Sequence, residues 1–360
     1  MLVSIGSPII SGPYGGGNLF VKNLSNYLNK EGHQVVYDLK QKDIDIILLT
    51  NPLLFSEVSA YNHNDIEYYL KFINKNALVL HRVNECDERK NSNNINKQII
   101  EANQVADYTI FVSTWIQNLY KSKGLNTTKS KVILSGSDEN IFFINEDKLN
   151  LKSKKLKLVT HHWSNNWNKG FDIYKKIDQM LELNKWNSKF SFTYIGNLPK
   201  NFKFTNVHHE LPKSDSELGK ILRSFDGYIT ASINEPSGNH HIEAAQSGLP
   251  ILYINSGGIP EYCEGYGLGF TENDFEEKLT EFIDQFYTLQ KKMVDYPLNA
   301  SISNKEYLML FEELIYNKKK LLDSRAKKRH SKIIIDYIQN KIKILFYKYY
   351  LTLIKIYKSL

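Results

Sequence analysis

The sequence predicts an α/β protein built from two parallel, doubly wound domains, with a basic amphipathic helical tail after them. Three observations carry that expectation. Short apolar runs near residues 1–6, 45–50, 77–81, 107–113, 156–162, 190–196, 226–231 and 251–254 are separated by glycine turns and amphipathic helical stretches. This β-α-β-α order with glycine-rich turns supports parallel, doubly wound sheets. A polar, lysine-rich stretch at 146–155 has no apolar period and reads as a linker between domains. The charge is also unevenly placed: residues 318–360 hold thirteen Lys/Arg and two Asp, a balance of +11, so the rest of the +7 chain carries −4.

Composition sets outer bounds. A chain of 360 residues, 42% hydrophobic and 24% charged, has ample material for two cores. Two cysteines, Cys86 and Cys263, make no disulfide framework and fit a reducing compartment. Residues 1–6 read as a first strand rather than a signal peptide, and no run of about 18 apolar residues is present. A cytoplasmic location is therefore expected, peripheral to a membrane if the tail binds one.

The chain opens with a strand, the loop Ser11-Gly12-Pro13-Tyr14-Gly15-Gly16-Gly17-Asn18, and an amphipathic helix over about 19–30. Strand, glycine loop and helix begin a nucleotide-binding βαβ unit, but the loop is not G-x-G-x-x-G, which weakens a dinucleotide reading. Strands follow at 34–37 and 45–50. Asp43 and Asp45 form a D-x-D that precedes an apolar strand, so they read as strand-start residues and no metal is assigned. The run at 77–81 ends in His81, after which Arg82, Asn84, Asp87 and Arg89 crowd together. The end of a parallel strand is where α/β sites form.

The second half starts with a strand at 156–162. Trp163 to Lys169-Gly170 leads into a helix over about 171–183. A strand ending at Gly196, a helix over 214–224 and a strand over 226–231 come next. Helices near 276–290 and 304–320 close the body. Between them lies Asn234-Glu235-Pro236-Ser237-Gly238-Asn239-His240-His241-Ile242-Glu243, with Glu235 and Glu243 eight positions apart. A loop there ends a strand and opens a helix. Its N–H groups would face whatever is bound, and an anionic phosphate suits such a place.

This pattern resembles the E-x7-E signature of retaining glycosyltransferases of the GT-B fold, specifically glycosyltransferase family 4. The context strengthens the resemblance: Gly248-Leu249-Pro250, the strand 251–254 and Gly257-Gly258-Ile259-Pro260-Glu261 follow. The resemblance implies two Rossmann-like domains facing a cleft: an acceptor-side domain at 1–150 and a nucleotide-sugar domain at 151–317, with the tail at 318–360. One of the last helices would cross back to the first domain. By the same resemblance Glu235 lies beside the donor sugar and Glu243 holds the ribose hydroxyls. Lys169 would bind the donor diphosphate, and Gly238, Asn239, His240 and Gly196 would line its seat. Gly16 and Gly17 close from the opposite domain. His81 falls near the donor sugar, and Arg82, Asn84, Asp87 and Arg89 are candidates for the acceptor. The segment Ser135-Gly136-Ser137-Asp138 is similar to the N-G-V-D that closes the first domain.

One departure stands out. The family's Arg ahead of Lys-Gly is missing, with His162, Ser164 and Asn165 in the region, so phosphate charge compensation would fall to a histidine or Arg82. The implied activity is metal-free sugar transfer from a nucleotide-diphosphate sugar to a glycan or lipid-linked acceptor in surface polysaccharide or glycoconjugate synthesis. A nucleotide-sugar epimerase and a non-catalytic membrane-associated scaffold are the alternatives.

In the tail, Ile334, Ile335, Ile338, Ile342, Leu345, Tyr349, Leu353 and Ile356 recur at helical steps, with lysines mainly on the other side. Such a helix fits an anionic membrane surface, the enzyme body or a second subunit. A nucleic-acid arm is not expected, because apolar residues dominate it.

Overall fold

A computed structural model describes the chain except residues 11–15, 54, 55, 57, 146–153, 214, 326–329 and 360, and the side chains of 215, 330, 331 and 355–359. The linker stretch and most of the glycine loop, including Gly12 and Gly15, thus lie outside the described residues.

The first sheet contains β1 (Leu2–Ile5), β2 (Gln34–Val36), β3 (Ile46–Leu49), β4 (Leu78–Val83), β5 (Tyr108–Phe111) and β6 (Ser130–Val132), in the order β2-β1-β3-β4-β5-β6. The second contains β7 (Leu156–His162), β8 (Phe190–Gly196), β9 (His208–Glu210), β10 (Gly227–Thr230), β11 (Ile251–Ile254) and β12 (Gly267–Phe270), in the order β12-β11-β10-β7-β8-β9. Every pairing is parallel. Helices cover both faces, so all four residues of β3, β10 and β11 are buried. Asp45 starts β3 as expected, its carboxylate accepting from the Leu2 N–H at 2.8 Å.

Eight helices matter for the site and the tail: α1 (Gly16–Lys30), α2 (His63–Phe72), α3 (Asp87–Lys90), α4 (Ile95–Asn103), α5 (Phe171–Met180), α6 (Asn239–Gln246), α7 (Ala300–Tyr316) and α8 (His330–Ser359). Strand order reverses between β1 and β3 in one sheet and between β7 and β10 in the other. Open α/β sheets bind ligands outside the carboxyl ends of strands at such reversals. The stretches that follow β7 and β10 carry Lys169 and Glu235.

Helix α7 follows the second domain in sequence but packs on the first. Tyr307, Leu308, Leu310, Phe311 and Leu314 join Val3, Ile5, Leu24 and Leu28 in one apolar cluster. The crossing is made by Asn299, which bridges to Ser137, with the Ala300 N–H on the Ser137 carbonyl at 2.8 Å. Gly136 is needed there, because a Cβ would lie 2.0 Å from the Asn299 carbonyl oxygen. The expected helix at 304–320 is two, α7 and a short turn at Lys318–Asp323.

The tail is helical from His330, but it docks by a face the apolar pattern did not single out. Buried Ile333 and Asn340, Tyr337 stacked on Tyr68 at 4.3 Å, and Lys341 paired with Asp65 at 2.8 Å hold it against α2. Ile334, Ile335, Ile338, Ile342, Leu345, Tyr349 and Leu353 remain exposed, joined by Phe346 and Tyr350. Arg325, counted with the basic tail in the sequence, belongs instead to the body: its guanidinium grips Asp107 at 2.8 and 2.5 Å. Among the described residues no helix is long and apolar enough to cross a membrane.

Candidate active site

Local backbone geometry delivers the two central residues. Beyond β7, Asn166 caps a short 3-10 turn at Trp167–Lys169, and Gly170 turns with φ 102° where a Cβ would strike Ala231. This sets Lys169 against the end of β10. There Asn234 takes a left-handed φ of 54° and presents Glu235 inward. The Glu235 carboxylate is 4% exposed and bracketed by two cations. Lys169 Nζ meets one oxygen, and Arg89 Nε, from the first domain, meets the other at 2.7 Å. Arg89 is held from behind by Glu85, Nη1 to Oε2 2.8 Å, and Lys90 pairs with the same carboxylate at 2.9 Å. A cavity of about 200 Å³ opens here, lined by Arg89, Lys90, Asn166, Asn168, Lys169 and Glu235 among others.

The charges tune one another. Burial alone would raise the Glu235 pKa, but the Arg89 and Lys169 charges outweigh it and hold the carboxyl well below the usual range. Glu235 in turn raises Arg89. Burial, with Arg89 adding to it, lowers the Lys169 amine below an ordinary lysine despite Glu235.

Beside this triad lies a buried polar layer. Glu243, on α6, has a carboxylate oxygen 2.8 Å from His161 Nε2, and the His161 backbone N–H donates to Tyr228 Oη at 2.9 Å. His162 Nε2 sits 2.8 Å from Tyr174 Oη, and His240 Nε2 2.8 Å from Thr230 Oγ1. Burial, then Lys169 for His162 and His162 for His240, pushes both imidazoles well below their ordinary pKa. Neither carries charge at neutral pH. Gly238 opens α6 with φ 78°, leaving the helix start without a side-chain cap. A Cβ there would crowd His241, Glu235 and His240 at 2.8–2.9 Å. Asn239 faces Gly16, whose Cβ would lie 2.5 Å from its amide, whereas a Cβ on Gly17 would meet nothing.

The structure therefore brings together Glu235, Lys169, Gly238, Asn239, His240 and Glu243, with Gly16 opposite. Other expected residues lie elsewhere. His81 is fully buried and makes no contact with the triad, its Nδ1 lying 3.0 Å from the Asn103 amide on α4. Burial and His63 push it down to about 3. Its neighbour Arg82 faces the other side of the sheet, because side chains alternate along a strand. It lies 3.9 Å over Phe20 and donates to Tyr307 Oη at 3.1 Å. Asp87 caps α4, accepting from the Ile95 and Asn96 N–H groups at 2.9 and 3.0 Å, so its carboxylate is already committed. Asn84 is half-buried after β4. Gly196 keeps β8 close to β7, since a Cβ would sit 2.1 Å from the His162 carbonyl oxygen. The sequence reading placed Arg89 on the acceptor side and passed over His161. The only signal for either was charge crowding at 84–90 and a histidine at a strand end.

Comparison with known proteins bears on the fold and on residues 172–301. The family model for glycosyl transferases group 1 matches residues 172–301, a span that includes both Glu235 and Glu243. A sucrose-phosphate synthase structure from Thermosynechococcus elongatus aligns with TM-score 0.61 at 14% identity, covering 88% of this chain and 98% of that one. Anabaena HepE in complex with UDP-glucose aligns with TM-score 0.62 at 13% identity, covering 87% and 99%. The catalytic domain of starch synthase IV from Arabidopsis thaliana, bound to ADP and acarbose, aligns with TM-score 0.62 at 14% identity, covering 88% and 99%. A search of curated protein sequences finds no match. The doubled α/β architecture is thus the GT-B fold, residues 172–301 form a glycosyl transferases group 1 domain within it, and the chain is a glycosyltransferase.

Proposed function

We propose that the chain transfers a sugar, with retention of configuration and without a metal, from a nucleotide-diphosphate sugar to a glycan or lipid-linked acceptor in surface polysaccharide or glycoconjugate synthesis. The observation that carries this reading is the Arg89–Glu235–Lys169 triad at the β7/β10 reversal, next to the uncapped start of α6 and to Glu243. A diphosphate leaving group gathers negative charge as the glycosidic bond breaks. Lys169 and the α6 N–H groups are placed to neutralise it without reorganising. Glu235, freed from the cations by the arriving phosphate, would face the sugar. Glu243, oriented by His161, would take the ribose diol. No side chain stands as a covalent nucleophile, so the acceptor hydroxyl would attack from the leaving-group face and lose its proton to the departing phosphate. HepE was solved with UDP-glucose and starch synthase IV with ADP, which supports a nucleotide-sugar donor here. Among the described residues no group of three or more His, Cys, Asp or Glu could hold a metal.

The test is a panel of nucleoside diphosphates and their sugars. A bound nucleotide at 100 times its Kd should stabilise the fold by about 2.7 kcal/mol. Labelled sugar should then appear on a glycan or lipid acceptor with its anomeric configuration kept. Release of free sugar alone, whatever acceptor is supplied, would overturn the transferase reading.

Glu243→Ala should weaken nucleotide binding by about 1.5–3 kcal/mol, the scale of hydrogen bonds to a charged group. Titration calorimetry with a nucleoside diphosphate reads this directly, and equal affinity in wild type and variant would remove the ribose assignment.

We further place the tail on an anionic membrane surface. Residues 318–360 carry +11, and the apolar side of α8 stays exposed while the opposite side docks. Each basic residue near such a surface contributes on the order of 1 kcal/mol, screened by salt. Replacing Leu345, Phe346, Tyr349 and Leu353 by serine should abolish sedimentation with vesicles containing anionic lipid while leaving nucleotide binding intact. These residues are solvent-exposed, so the fold tolerates the change. Undiminished sedimentation would show that the tail does not serve as the anchor.

A further inference from the structure

We propose that Arg89, carried by the first domain, is the second cation for the donor's diphosphate, and that Glu235 occupies the anion's seat until the donor arrives. The inference rests on the nucleotide-diphosphate donor proposed above. It begins from an imbalance in the second domain. Among the described residues, the second domain lines the cavity with one cation, Lys169, for a group that carries two or more negative charges. The histidines around it cannot help: His162 and His240 are uncharged and are engaged with Tyr174 and Thr230. Arg82, the other sequence candidate, is engaged with Phe20, Tyr307 and Ser135, and pairs with neither Glu235 nor Lys169.

Arg89 has what those groups lack. It reaches across the cleft to the carboxylate that Lys169 holds, and it lines the same cavity. Glu85 grips it from behind at 2.8 Å, so its guanidinium remains aimed into the cleft when Glu235 lets go. Backbone ties hold the segment against the second domain: Asn168 Nδ2 donates to the Arg89 carbonyl at 3.3 Å, and Asn234 Nδ2 to the Glu88 carbonyl at 3.4 Å. A planar guanidinium matches the oxygens of a phosphate as it matches a carboxylate. The exchange is therefore anion for anion. The diphosphate takes Arg89 and Lys169, and Glu235 turns to the sugar. Because Arg89 and Lys169 stand on different domains, one diphosphate would also clamp the two together.

Titration calorimetry on the full chain, with a nucleoside diphosphate and the matching nucleoside, separates this role from a plain interdomain strut. Arg89→Ala should weaken diphosphate binding at least tenfold and leave nucleoside binding unchanged. Arg89→Lys should recover part of the loss, and it keeps the test valid if the alanine variant folds poorly. Glu235→Gln, which removes the competing anion, should tighten the diphosphate severalfold. A strut predicts that Arg89→Ala and Glu235→Gln move affinity in the same direction; that result, or an unchanged affinity in Arg89→Ala and Arg89→Lys, overturns the proposal while the donor reading stands. Failure of the wild type to bind any nucleoside diphosphate overturns both.

Discussion

Lys169→Ala is expected to lower kcat/KM by about 10²–10³-fold, the loss seen when one preorganised group facing a developing charge is removed from a water-poor site. The amine is buried, points at the cleft carboxylate, and is the one cation among the described residues of the second domain that pairs with Glu235. Binding of a nucleoside diphosphate should fall with it, and binding of the bare nucleoside should not. The lowered Lys169 pKa adds a pH signature. The charged amine is the working form, so kcat/KM should decline on the alkaline side at a lower pH than an exposed lysine would dictate. A bound diphosphate favours the charged form, so the corresponding limb of kcat should lie higher. Activity should also survive EDTA. Loss of turnover on chelation, restored by a divalent ion, would replace the lysine-centred account with a metal-centred one.

Arg325→Ala is expected to destabilise the protein by roughly 3–5 kcal/mol, the cost of stranding a buried charge. Asp107 is 2% exposed and receives two bonds from Arg325 as well as the Val79 N–H at 2.8 Å. Arg325 also donates to the Ala77 and Lys75 carbonyls at 2.7 and 2.9 Å. It therefore closes the amino ends of β4 and β5. The urea midpoint with an unchanged slope would report the loss. Adding Asp107→Asn should recover part of it, because the unpaired carboxylate is the costly element. A loss below about 1 kcal/mol would mean that solvent screens the pair. A truncation at 318 would remove Arg325 and couple membrane release to unfolding, whereas substitutions on the exposed side of α8 would not.

Much of the site could be read in the linear chain because its parts are local. A strand that is apolar throughout must be covered on both faces, and a glycine turn after it must open toward the carboxyl end. Glu235, Gly238, Asn239 and Glu243 belong to one such turn and the helix it starts, and Lys169 to another. Their spacing along the chain therefore carries the spatial relation. The same locality made the helical tail legible, as its three- and four-residue apolar steps need no distant partner.

What only the tertiary structure decided depends on contacts between remote segments or on which face of an element is covered. His81 and Arg82 are adjacent in sequence, but pleating sends them to opposite sides of β4, His81 to Asn103 and Arg82 to Phe20, Tyr307 and Ser135. Arg89 gains its meaning from Glu235, 146 positions away, through the facing of two domains that no local propensity encodes. Helix α7 looks like the end of the second domain until its apolar face is seen in the core of the first. In the tail, composition alone determined the charge and the apolar stripe. Docking decided that the helix packs through Ile333, Tyr337 and Asn340, because the surface of α2 offers Tyr68 and Asp65, and left the described residues of the apolar stripe exposed.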